Sequence, residues 1–101
     1  METISTIITN LFTYFLVRRP VEGGLWRWAI VAKDRCDGTT YVYRPLHWRD
    51  TEDGDEPFRP YNEFSFVTSN LIDPKASGWR VHLPAKASGA GVSDQPLSGR
   101  L

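Results

Sequence analysis

The chain has 101 residues, which leaves room for one domain and excludes a second. Twelve basic residues balance twelve acidic ones, so bulk electrostatics cannot drive binding to nucleic acid or to a membrane surface. A composition that is 41% hydrophobic with four tryptophans argues for a packed globule, and the single Cys36 fits a reducing, cytoplasmic setting better than a disulfide-stapled secreted one.

In chain order, the apolar residues Ile4, Ile7, Ile8, Leu11, Phe12 and Phe15 fall at the spacing of one helical face. The first segment is therefore expected to be an amphipathic helix, although its Ile and Thr content lowers helix propensity. It does not read as a signal peptide, because Glu2 comes first and Arg18 and Arg19 follow the apolar stretch. Its apolar runs are also far shorter than the roughly 20 residues a membrane span requires.

Tyr14 to Pro20 and Leu25 to Lys33, joined through Glu22-Gly23-Gly24, read as a hairpin. Trp26, Trp28, Ile30 and Ala32 project to one face of the second strand, and both faces carry apolar groups, as in a central strand. Asp34 to Thr39 is a turn by composition, Thr40 to Arg44 a third strand ending at Pro45, Glu63 to Thr68 a fourth, and Trp79 to Leu83 a fifth. Pro84 to Leu101 has no periodicity and little apolar surface. The expected architecture is α+β, an N-terminal helix on an antiparallel sheet of about five strands over residues 1–84, with a flexible tail over 85–101.

Two features could carry function. The run Asp50-Thr-Glu-Asp-Gly-Asp-Glu56 crowds five carboxylates, Asp50, Glu52, Asp53, Asp55 and Glu56, into seven positions. It fails as an EF-hand, because placing Gly54 sixth puts Arg49 at the first ligand position. It reads either as a solvated loop or as a carboxylate array aimed at a basic groove on a partner, with Trp48 beside it as an exposed interface anchor. The second feature is aromatic. Trp26, Trp28, Tyr41 and Tyr43, interleaved with Arg27 and Arg44, form an alternative face for single-stranded nucleic acid, although most aromatics in so small a domain serve the core.

Catalytic and metal chemistry find little support. Cys36, His47 and His82 are too few for a structural zinc site, their spacing does not pair a nucleophile with a base, and no phosphate-binding glycine loop precedes a helix. No cofactor is expected.

The stretch from Leu11 through Trp26-Arg-Trp28 to Val31, a strand, turn and Trp-x-Trp strand, resembles small orphan proteins of bacteriophages, including some of the anti-CRISPR kind. The resemblance implies a cytoplasmic inhibitor without chemistry of its own, which covers a surface on a larger host protein or nucleoprotein complex. It assigns no residue a role. The expectation from the residues is a non-enzymatic protein-binding module acting through the acidic loop and adjacent aromatics. The alternatives are the nucleic-acid sheet and a small assembly protein.

Overall fold

The computed structural model describes residues 1–55 and 57–83. Six strands, β1 (Glu2–Ile8), β2 (Phe12–Val21), β3 (Leu25–Asp34), β4 (Thr40–Tyr43), β5 (Thr51–Glu52) and β6 (Arg80–Leu83), form one antiparallel sheet, and a single helix, α1 (Phe58–Ser69), falls between β5 and β6. The strand order is β1-β2-β3-β4-β6, with β5 also on β3. β4 pairs with β3 over Ile30 to Lys33 and β5 over Leu25 and Trp26, so the two short strands share one side of β3 end to end.

The β2–β3 hairpin organises the molecule. Its ten-residue register, Phe12 opposite Asp34 through Val21 opposite Leu25, turns on a single 3₁₀ turn at Glu22–Gly24, where Gly23 and Gly24 take the positive φ that glycine permits. β3 is central, as its two apolar faces imply, and the turn at Asp34 to Thr39 and the strand at β4 lie where the sequence puts them.

The expected N-terminal helix is replaced by two strands. Five of the seven β1 residues, Thr3, Ile4, Thr6, Ile7 and Ile8, are β-branched and suit a pleated surface. Between β1 and β2 the Thr9 hydroxyl donates to the Phe12 carbonyl at 2.8 Å and accepts from the Phe12 amide at 3.2 Å, closing the turn. A helix over this stretch would sacrifice the N-terminal part of the β2–β3 ladder, so the long hairpin overrides the periodicity.

The opposite exchange occurs at residues 58–69. The expected strand Glu63 to Thr68 lies within α1, whose core-facing residues Pro60, Phe64 and Val67 have helical spacing, while Phe66 is exposed. Pro60 stands in the first turn, where its missing amide costs nothing, and the Thr68 hydroxyl bonds back to the Phe64 carbonyl at 2.9 Å. The correction to the fold is thus, among the described residues, a six-stranded sheet with one helix in the middle of the chain rather than at its N-terminus. The expected tail, residues 85–101, lies outside the described residues.

α1 packs across β2 and β3, over the face bearing Tyr14, Leu16, Trp28 and Ile30, all of them almost fully buried. The Tyr14 hydroxyl donates to the Ile72 carbonyl at 2.8 Å, tying the exit of the helix to the sheet. Tyr43 stacks on Trp79 with ring centroids 5.0 Å apart and meets the edge of Trp48 at 6.0 Å. No helix among the described residues is long and apolar enough to cross a membrane, which bears on helical spans alone.

Candidate functional site

Asp50, Glu52 and Asp53 of the acidic run meet Trp26, Arg27 and Trp28 at the end of the sheet where β5 meets β3, whereas Tyr41 and Tyr43 lie farther along β3, opposite Ala32 and Ile30. Pairing of Leu25 with Glu52 and of Trp26 with Thr51 lays the acidic segment along the start of β3. Side chains then fasten it on both faces. Asp50 accepts two hydrogen bonds from Arg27, Nε at 2.9 Å and Nη2 at 2.8 Å, and stands 3.5 Å from Nη2 of Arg44. The bidentate fork is the strong form of this pair. It holds the Asp50 carboxyl below the usual carboxylate range and raises the Arg27 guanidinium, in each case through their hydrogen bond first.

On the covered face the Trp28 indole donates to the Thr51 hydroxyl at 2.7 Å, and the Trp26 indole donates to Asp53 at 3.2 Å. Arg18 completes the cluster. Its guanidinium lies 4.0 Å from the Trp26 ring centroid and 5.6 Å from that of Trp28, donates to Glu2 at 2.9 Å, and stands 3.9 Å from Asp53.

These contacts divide the acidic run. Asp50 is consumed in structure, whereas Glu52, Asp53 and Asp55 are exposed. Glu56 lies outside the described residues. Among the described residues, no three His, Cys, Asp or Glu side chains converge so as to hold a metal ion.

Two expectations about the aromatics are corrected. Trp48 is not an exposed anchor but a core residue, 3% exposed. The reason is geometric: residues 44–50 bridge the gap between β4 and β5 along β3, and Trp48 fills that gap under Tyr43. Its indole nitrogen is buried without a hydrogen-bond partner, as is Nε of Arg44. The proposed stacking face is closed as well. Trp28 and Tyr41 are buried in the core with α1, half-buried Tyr43 is stacked on Trp79, and half-buried Trp26 lies under the Arg18 guanidinium.

Arg18, Glu2 and Thr51 were not singled out by sequence reasoning. The signal for Arg18 was available: a hairpin centred on Gly23 places residue 18 opposite residue 28, which sets a cation over the Trp-x-Trp strand. Comparison with family models, with curated proteins and with solved structures found no match to this chain.

Proposed function

We propose that this chain is a non-enzymatic protein-binding module whose contact is the β5 end of the sheet, where exposed Asp53 stands beside Trp26 and Arg18 and the exposed Glu52 and Asp55 flank it along the chain. The observation that supports this reading is anchoring. Asp50, Thr51 and Asp53 are each held by a side chain of β3, so the exposed carboxylates stand on a fixed backbone and lose little freedom on binding. The surface fits a partner with a basic groove and a shallow apolar seat for Trp26. In the phage-inhibitor version that the sequence resemblance suggests, the partner is a larger host protein or nucleoprotein complex. The protein-binding reading is preferred to the nucleic-acid one because Trp28 and Tyr41, two of the four aromatics the latter would stack bases on, are buried.

The test compares nuclease-treated affinity capture by the wild-type chain with capture by the Glu52→Gln, Asp53→Asn, Asp55→Asn variant. The expected result is one protein retained by the wild type and lost by the variant, with the melting temperature nearly unchanged. Equal capture by both, or capture that nuclease abolishes, would overturn the reading.

A further inference from the structure

The two outer edges of the sheet are built differently. β6 is short, four residues, carries Arg80 and His82, and is followed in sequence by Pro84. Short length, cations and proline are the devices by which proteins keep a sheet edge from pairing with another chain. β1 is seven residues long, pairs among the described residues with β2 alone, and has neither proline nor lysine. Its one charge, Glu2, is already paired with Arg18 at 2.9 Å. A register shift between Thr3 and Ser5 disturbs the ladder to β2 there, but Thr6 to Ile8 continue it regularly, with Ile7 and Ile8 exposed. Among the described residues β1 is thus the less guarded edge, with an outer side able to extend the ladder.

We propose that β1 pairs antiparallel with β1 of a second copy of this chain about a twofold axis, joining the two sheets into one. Charge distribution selects this partner. At the far end of β1, Arg35 donates from Nη1 to the Thr9 carbonyl at 2.6 Å, which seats an exposed guanidinium beside the turn that follows the strand. Antiparallel self-pairing centred near Thr6 carries Glu2 of each copy to the Thr9–Leu11 turn of the other, within reach of its Arg35. Parallel pairing would instead set Glu2 beside Glu2. A twofold axis makes the contact twice, so a modest surface ion pair is doubled. The two acidic loops then lie at opposite ends of the joined sheet, and the dimer offers two separate copies of the surface described above.

The experiment is sedimentation equilibrium of the full chain across a wide concentration range, with far-UV circular dichroism and a thermal melt as controls of folding. The wild type is expected to show a monomer–dimer equilibrium. Ile8→Lys, a charge placed on an exposed edge position, is expected to abolish it without loss of the fold. Glu2→Lys and Arg35→Glu singly should each weaken the dimer about tenfold, which the loss of two symmetry-related pairs can supply. The Glu2→Lys, Arg35→Glu double variant should recover most of that loss, an outcome that the broken pair between Glu2 and Arg18 within one chain cannot produce. A wild type that stays monomeric throughout would overturn the proposal. So would a dimer indifferent to Ile8→Lys, or a double variant no better than the singles.

Discussion

On the face of the sheet beneath α1 the ladder rows read Leu16–Ile30–Tyr43 and Tyr14–Ala32–Tyr41, whereas on the other face they read Phe15–Val31–Val42 and Val17–Ala29. The first face spends its aromatics against a second layer and is dry, with Tyr14, Ile30 and Ala32 at 0% exposure. The second is built mainly of small and β-branched side chains that pack on one another across the pleat. Most of these stay half-buried, and Val17 alone of the rows named is fully buried, between Thr3 and Ala29. A single-helix layer can dry only one side of a sheet, so stability is concentrated on the covered face while the other tolerates change.

The sharpest way to break that comparison is to truncate one residue from each face. Trp28→Ala removes the largest fully buried side chain and the bond to Thr51, and such truncations cost about 3–5 kcal/mol. For a domain of this size that is most of the available stability, and the variant should be largely unfolded by circular dichroism at room temperature. Val31→Ala, half-buried on the open face, should cost about 1 kcal/mol and leave a cooperative urea transition at a slightly lower midpoint. Equal losses at the two positions would mean that the open face contributes to folding as much as the covered one.

How far this arrangement can be read in the sequence depends on whether local pattern or distant packing decides each segment. The β2–β3 hairpin is legible because Gly23-Gly24 fixes its centre and the alternation of Trp26, Trp28 and Ile30 fixes its faces. The segment from Ile4 to Phe15 is not, because its apolar residues match a helical period while β3 forces Phe12 to Phe15 to be strand. Residues 58–69 fail for the converse reason. Phe64 and Phe66 alternate as a strand would, yet the face that matters is Pro60, Phe64 and Val67, visible only once a flat aromatic sheet exists for it to cover. At the site, the acidic run is plain in the sequence. That Asp50 turns back onto Arg27 while Glu52 and Asp53 face out follows from β5 pairing, a contact between residues more than twenty positions apart.

The end of α1 offers a smaller test of the covered face. Leu71 has φ of 50°, the only non-glycine with positive φ among the described residues. The Leu71 amide donates to the Thr68 carbonyl at 3.4 Å and the Ile72 amide to the Val67 carbonyl at 3.0 Å, the pattern of a Schellman cap whose left-handed position normally holds glycine. The strain is accepted because the cap delivers Ile72 to the core and its carbonyl to the Tyr14 hydroxyl. Leu71→Gly should relieve it at small cost in contacts, since the side chain is exposed, for a net gain of about 0.5 kcal/mol once the added freedom of the unfolded chain is offset. A raised melting temperature is the expected reading; a lowered one would show that the Leu71 side chain is worth more to the covered face than its backbone costs.

The open face contains a charge problem whose solution sets the smallest effect. Arg19 lies directly opposite Arg27 across the β2–β3 ladder, a like-charge pair that disfavours the sheet, and Asp50 lies against Arg27 and near Arg44. Because the Asp50 carboxyl titrates lower in the folded chain than in the unfolded one, its contribution is complete above the unfolded carboxylate range, near pH 4, and fades as pH falls towards the folded value. Asp50→Asn keeps the shape but leaves the arginines facing one another, so it should lower the melting temperature at neutral pH and low salt. The gap between variant and wild type should narrow as pH drops below about 4, and narrow again at high salt, where exposed charges are screened. Tyr14 and Tyr43 give the opposite limb: burial raises both hydroxyls, with Asp73 adding to Tyr14 and Glu63 to Tyr43, so their share of stability is lost as pH rises past about 10 in both chains alike. A gap that persisted unchanged at acid pH would assign the Asp50 effect to hydrogen-bond geometry rather than charge, and the open face would then tolerate its arginines without help.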